Sequence, residues 1–295
     1  MDTRLRPNTD GICALGNGSM SDREFKRLRD LIYDKCGINL QPVKKTMLTM
    51  RLLKRLRALG MASFSEYFDY LCHAQGNWEE LVQMLDVVTT NKTEFFRESI
   101  HFDFLLNEAL PTLVQAGKIG PKKRLEVWSA GCSTGQEPYT LAMVLSNYFE
   151  QHRVGTFSIL ATDISTRVLA IAQKGIYPER EADPVPLSLK RKYLMRGKGV
   201  NTGYCRVAPE VRRSIRFQRH NLVDCRTFGI RTSMDIIFCR NVVIYFDRPT
   251  QISLFDKFYG QLTPGGYLFV GHSENLHGIN NRFVPVSPAV YRRLE

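Results

Sequence analysis

Along this 295-residue chain the apolar residues change their period once, near Asn91, and that change limits what the chain can become. From Ser21 to about Val88 they recur every three or four positions: Phe25, Leu28, Leu31 and Ile32, then Leu48, Leu52, Leu56 and Leu59, then Leu81, Leu85 and Val88. Such spacing belongs to helices that bury one stripe. Ser21 ahead of Asp22 and Glu24, and Ser63 ahead of Glu66, supply helix starts, while Gly37 and Gly60 supply stops. Past Asn91 apolar β-branched and aromatic runs alternate with helical stretches, the grammar of a mostly parallel sheet with helices on both faces.

The expected strands are Leu125 to Ser129, Ser158 to Thr162, Ser214 to Gln218, Met234 to Cys239, Tyr267 to Gly271 and Ala289 to Arg293. Between a helix ending near Gln173 and the strand at Ser214 lie about forty residues, too many for a simple connection in a compact unit. Tyr193 to Met195, a turn rich in glycine (Gly197, Gly199, Gly203) and Tyr204 to Val207 predict a small antiparallel β subdomain there, at about 178–212. The expected organisation is a mobile tail over 1–19, a small all-α domain over 20–90 and an α/β domain over 91–295.

Seven scattered cysteines form neither CxxC pairs nor a compact disulfide framework, so they read as reduced thiols and no metal centre is expected. The first residues carry charges, Pro, Asn and Gly where a signal peptide needs an apolar core, and no segment offers the roughly 18 apolar residues that span a bilayer. The expectation is a cytoplasmic protein without membrane insertion. Lys and Arg number 41 against 29 acidic residues, a net charge of +12 that favours an acidic partner without choosing between nucleic acid, anionic lipid and protein.

The strand at Leu125 runs into Ala130, Gly131, Cys132, Ser133, Thr134, Gly135, Gln136, Glu137 and a helix. Glycines such as Gly131 at that turn let backbone approach a ligand at the carboxyl ends of a parallel sheet. The next strand ends in Asp163, where a carboxylate can accept hydrogen bonds from both hydroxyls of a ribose. Together these point to an adenosine-type ligand. Glu137, in the first helical turn, would repel the pyrophosphate of a dinucleotide but suits the sulfonium and ammonium groups of S-adenosylmethionine. Glu137 can equally complement the helix dipole alone. With the incomplete glycine fingerprint it disfavours a dehydrogenase. The strand ending Phe238, Cys239, Arg240, Asn241 lacks the Pro-Pro-aromatic signature of enzymes that methylate exocyclic base nitrogens, and Cys239 reads as a small buried hydrophobe rather than a nucleophile. Asn91 to Arg97 reads either as the edge of an active site or as a capping box from Asn91 to Glu94 with Phe95 and Phe96 in the core.

These segments jointly resemble the chemotaxis receptor methyltransferases, the CheR family, from about Ser21 to the end. The resemblance is carried by NKTEFFRE from Asn91, WSAGCSTGQEPYTLA from Trp128, ATDIS from Ala161, YLMRGKG from Tyr193, FQRHNL from Phe217 and IIFCRNVVIYFD from Ile236. It implies a Rossmann-like class I methyltransferase domain with an inserted β subdomain, preceded by an all-α domain. It also implies a transferase that uses S-adenosylmethionine to esterify receptor glutamates. Asn91, Thr93, Arg97, Glu137, Asp163, Asn221, Leu222, Arg240 and Asn241 would line the cofactor site, with Arg97 and Tyr245 near the methyl group. Family members often carry Glu where this chain has Gln136. A glutamate carboxylate, with a reference pKa near 4.3, is already a nucleophile at neutral pH and requires no general base.

A basic helix from Val43 to Leu59 clusters Lys44, Arg51 and Arg55 beside its leucine stripe, either as a solvated face or as a surface that steers the acidic methylation helices of a receptor. Some relatives use the inserted subdomain to bind a peptide at the receptor's carboxyl terminus by strand addition, and MRGKG with Gly203 and Arg206 resembles that version. The rivals are a sensor or scaffold that binds the cofactor without turnover, and an RNA methyltransferase suggested by the positive charge. Against the second, no nucleic-acid partner is expected.

Overall fold

A computed structural model describes residues 19–73, 78–224 and 227–294. Residues 1–18, read above as tail, lie outside them. The described residues fall into two compact units, one from 19 to 89 apart from Lys35–Ile38, the other comprising Lys35–Ile38 and the chain from Thr90 onward.

The first unit is all helix: α1 (Asp22–Cys36), α2 (Lys45–Leu59), α3 (Phe64–His73) and α4 (Trp78–Val88). Its starts and stops follow local chemistry. The Ser21 Oγ accepts from the Glu24 N–H at 3.2 Å while the Ser21 N–H donates to the Glu24 carboxylate at 2.8 Å, a closed capping box. The Glu66 N–H donates to Ser63 Oγ at 3.1 Å in the same way. Gly37 and Gly60, with φ of 70° and 67°, end the preceding helices in the left-handed region. Leu28, Ile32, Leu48, Leu52, Leu56, Met84 and Leu85 form the core.

The basic face departs from the sequence reading. Pro42–Lys44 forms a separate 3-10 turn, and α2 starts at Lys45. The Arg55 guanidinium turns inward, donating from Nε to Glu80 Oε1 at 3.0 Å, and Glu80 also accepts from the Tyr67 hydroxyl at 2.7 Å. Arg51 donates to the carbonyls of Val88 and Thr89 at the end of α4, satisfying acceptors that a helix terminus leaves open. Lys44, Lys54 and Arg57 remain exposed. These charges thus divide by position: Arg51 and Arg55 lie where α4 offers acceptors, whereas Lys54 and Arg57 lie on the face turned to water.

In the second unit α5 (Ile100–Phe104) continues through a π-helical turn, Leu105–Ala109, into α6 (Leu110–Gln115). There follow β1 (Leu125–Ala130), α7 (Gln136–His152), β2 (Phe157–Asp163), α8 (Thr166–Lys174), β3 (Ile176–Pro178), α9 (Leu187–Tyr193), β4 (Leu194–Arg196), β5 (Tyr204–Val207) and α10 (Pro209–Arg213). The chain closes with β6 (Ile215–Arg219), β7 (Met234–Cys239), α11 (Arg248–Gln261), β8 (Leu262–Val270), β9 (Phe283–Ser287) and β10 (Val290–Arg293). The main sheet has the order β6-β2-β1-β7-β8-β10-β9. It is parallel from β6 to β8, and β10 and β9 add an antiparallel hairpin. The sequence reading includes β10 but not β9, whose Phe-Val-Pro-Val-Ser run carries a proline that lowers its strand signal.

Every residue of β7 is buried, as a parallel strand covered on both faces requires. Trp128, in the middle of β1, is fully buried, donates from Nε1 to Thr162 Oγ1 at 2.9 Å and has the Phe228 ring 4.7 Å away, centroid to centroid. The inserted segment forms its own antiparallel sheet, order β3-β5-β4. It is tied to the turn after β1, because the Tyr177 hydroxyl donates to the Thr134 carbonyl at 2.6 Å and Gln136 Nε2 donates to Glu181 Oε2 at 3.1 Å.

Candidate active site

The carboxyl ends of β1, β2 and β7 converge, the position at which open parallel sheets bind ligands. The turn after β1 takes up left-handed backbone at Gly131 (φ 84°), Ser133 (φ 49°) and Gly135 (φ 99°). The N–H groups of Gly131 and Cys132 both donate to the Thr162 carbonyl at 2.8 Å, pinning the turn to β2. A Cβ at Gly131 would fall 2.4 Å from Val242 Cγ2, so glycine is required for the turn to pass the segment after β7.

Two carboxylates flank this turn. Glu137 lies in the first turn of α7, whose N-cap Gly135 has no side chain to cap it. Its carboxylate accepts from Ser129 Oγ at 2.7 Å and lies 3.5 Å from Arg240 Nη1. Burial raises its pKa, and Arg240 opposes the shift. Asp163, at the end of β2, is 8% exposed; it accepts the Ser133 N–H at 2.8 Å on one oxygen and the Ser165 N–H at 2.9 Å on the other. Asp163 thus organises the turn through both carboxylate oxygens, each of which can accept more than one hydrogen bond.

Arg240 lies at the centre of the charges. Its side chain is 2% exposed, bridges Glu137 and Glu98 (Nη2 to Oε2 at 3.3 Å), donates to the Arg97 carbonyl, and has its guanidinium 5.6 Å from the Phe102 ring centroid. Asn241, at φ 58°, reaches Glu98 Oε1 from Nδ2 at 3.3 Å. Burial pushes the Glu98 carboxyl up, but Arg240 and Asn241 outweigh it and hold the pKa below the ordinary value. A buried carboxylate, Glu274, fixes the loop after β7: it accepts the N–H groups of Asn241 at 2.8 Å, Gly271 at 2.6 Å and Ile244 at 3.1 Å. Its pKa is raised by burial against these bonds. Glu98 and Glu274 are absent from the sequence-based set; an acid shortly after an all-apolar strand, as Glu274 is after β8, is the signal that could have found one of them.

Asn91 joins the turn through its carbonyl, which accepts from Ser133 Oγ at 2.9 Å. Thr93 and Arg97 are half-buried, and Arg97 donates from Nη1 to the Lys92 carbonyl at 3.0 Å. The helix begins only at Ile100, so Asn91 and Glu94 form no capping box, while Phe95 is fully buried against Tyr177. Asn221 Nδ2 donates to the Lys35 carbonyl at 2.7 Å, and the neighbouring Leu222 is buried in the cluster that contains Trp128 and Leu160. Tyr245 is half-buried at the end of the 3-10 turn Val243–Tyr245. Cys239 is fully buried, and burial drives its thiol pKa far above the ordinary range, which removes it as a nucleophile. Hydrogen bonds and ion pairs thus connect Asn91, Ser133 and Asp163 in one chain, and Glu137, Arg240, Arg97, Glu98, Asn241 and Glu274 in another.

Comparison with known proteins identifies the family of the chain. Residues 91–291 match the family described as CheR methyltransferase, SAM binding domain, and residues 23–89 match CheR methyltransferase, all-alpha domain. The chain is 40% identical over 278 residues to the chemotaxis protein methyltransferase of Borreliella burgdorferi, covering 94% of this chain and 96% of that one. It is 38% identical to chemotaxis protein methyltransferase 2 of Pseudomonas aeruginosa, with coverage of 91% and 92%. The chemotaxis protein methyltransferase of Escherichia coli is also 38% identical, with coverage of 92% and 91%. These names favour neither a sensor without turnover nor an RNA methyltransferase. Two matching domains in the same order, and similarity over nearly the whole length of three such enzymes, establish that the chain belongs to the CheR methyltransferase family, with S-adenosylmethionine as its cofactor.

Proposed function

We propose that the chain transfers the methyl group of S-adenosylmethionine to glutamate side-chain carboxylates of chemotaxis receptors, forming methyl esters. The observation that carries this reading is the pair Glu137 and Asp163 on either side of the glycine turn. Carboxylates there attract a donor bearing sulfonium and ammonium groups and repel a pyrophosphate. In this reading Asp163 offers its remaining lone pairs to the ribose, and Asn91, Thr93, Asn221, Leu222, Arg240 and Asn241 wall the donor. The bound cofactor supplies a methyl group on cationic sulfur.

The chain's own residues have little proton chemistry to perform, because the acceptor carboxylate is ionised at neutral pH. Their task is alignment and exclusion of water, and oriented reactants account for roughly 7–11 kcal/mol of barrier. Arg97 holds the acceptor carboxylate, and Tyr245 shapes the space around the methyl group. The test is incubation with methyl-labelled cofactor and receptor-bearing membranes. Label released by mild base is expected, as from an ester; base-stable label would exclude esterification.

Receptor docking falls to the exposed Lys44, aided by Lys54 and Arg57, since Arg51 and Arg55 are engaged within the helical unit. The small sheet offers β4 as an edge strand, with the exposed Met195 on it, for a receptor tail peptide. A cytoplasmic location belongs to the same reading; among the described residues no helix is long and apolar enough to cross a membrane.

A further inference from the structure

We propose that Glu98, His101 and His272 form a site for a divalent transition-metal ion of the zinc class. Glu98 precedes α5, His101 lies in its first turn, and His272 follows β8. Their ligand atoms all lie within 4.8 Å of one another. His101 Nδ1 is 3.6 Å and His272 Nε2 3.9 Å from the same oxygen, Glu98 Oε2. Tetrahedral zinc ligands at the usual bond lengths stand about 3.4 Å apart. The two histidine-to-glutamate spacings lie within about half an ångström of that value, and rotation of the half-exposed His272 ring would close the remaining gap.

An independent observation concerns His101. Its side chain is 1% exposed, and neither ring nitrogen has a hydrogen-bond partner among the described residues. An imidazole buried in that state calls for an ion or a water to complete it.

The local charge permits a cation. Arg240 stands between Glu98 and Glu137, so carboxylate charge lies close to the ligand atoms. Imidazole and carboxylate ligands favour zinc, cobalt or nickel over magnesium or calcium. His272, 49% exposed, gives the ion a path in and leaves coordination positions open to water. The sequence reading looked for clustered cysteines, whereas these ligands meet only in the fold and include no thiol. The site does not depend on the proposed methyl acceptor.

The full-length protein, stripped with a chelator, should be titrated with Co²⁺ alone while its visible absorption is followed, and then with Zn²⁺. Saturation at one ion per chain is expected, without a thiolate charge-transfer band and reversed by zinc. H272A and E98Q should each weaken uptake by roughly tenfold or more. An unchanged melting temperature for H272A would show that the loss is local. Absence of saturable uptake, a thiolate band, or uptake unaffected by H272A would overturn the proposal.

Discussion

Glu274 accepts the backbone N–H of Asn241 at 2.8 Å, and so a residue after β8 dictates the backbone of the loop after β7. Asn241 lies in the left-handed region, which asparagine tolerates better than most non-glycine residues, and the Glu274 carboxylate fixes it there. Glu274→Gln presents an amide donor to N–H groups that now meet a carboxylate oxygen. The variant should lose about 2–3 kcal/mol in denaturant unfolding, the range for an unsatisfied buried group, and its turnover should fall more than its affinity for S-adenosylhomocysteine.

Gly131 is the second backbone constraint. Gly131→Ala adds a Cβ at 2.4 Å from Val242 Cγ2 on backbone with φ of 84°. A loss of about 2 kcal/mol is expected from overpacking and strain together. Val242→Ala in the same chain should recover part of it, as read by thermal unfolding, because the clash is with that side chain alone.

Arg97 and Asp163 should separate catalysis from binding. Arg97→Ala is expected to lower receptor methylation by roughly 100-fold or more, the scale of a lost positioning group, with calorimetric binding of S-adenosylhomocysteine little changed. Asp163→Ala should chiefly weaken that binding, and it should also cost stability, since the N–H groups of Ser133 and Ser165 lose their acceptor.

The basic residues of α2 should fall into two classes. Arg55→Ala leaves Glu80, 5% exposed, with only the Tyr67 hydroxyl of its present partners, and should destabilise the helical unit by about 2–3 kcal/mol. Lys44→Glu should leave stability within about 0.5 kcal/mol but reduce the rate and the salt dependence of receptor methylation. A Lys44→Glu variant with wild-type rates at low salt would remove this face from docking.

Gln136 Nε2 donates to the Glu181 carboxylate at 3.1 Å. Gln136→Glu sets like charges against each other and should cost about 1 kcal/mol at this partly buried site. Glu181→Gln should rescue it in a double-mutant cycle.

Period and turn chemistry made much of the fold legible. β1, β2 and β7 lie within a residue or so of the expected runs because they are apolar enough to be largely buried, and β6, an edge strand, matches through the alternation of Ile215 and Phe217 with polar residues. The capping box at Ser21 and the helix cap at Ser63 were legible because they involve only neighbours in the chain. What sequence could not show is which acceptor a long side chain reaches. Arg51 and Arg55 look like any solvated charge until α4 supplies acceptors, and Glu98, His101 and His272 acquire meaning only when β8 lies beside β7. The resemblance brought Arg240 and Asn241 into view, yet the carboxylates that hold them in place come from other segments.

The burial of Trp128 has a practical consequence. Its indole is shielded from water at the centre of the main sheet, so its fluorescence should be blue-shifted in the native state and move to longer wavelength when β1 and β2 separate. The other tryptophan, Trp78, belongs to α4. Replacing Trp78 with phenylalanine would therefore leave a single intrinsic probe that follows the opening of the α/β unit alone.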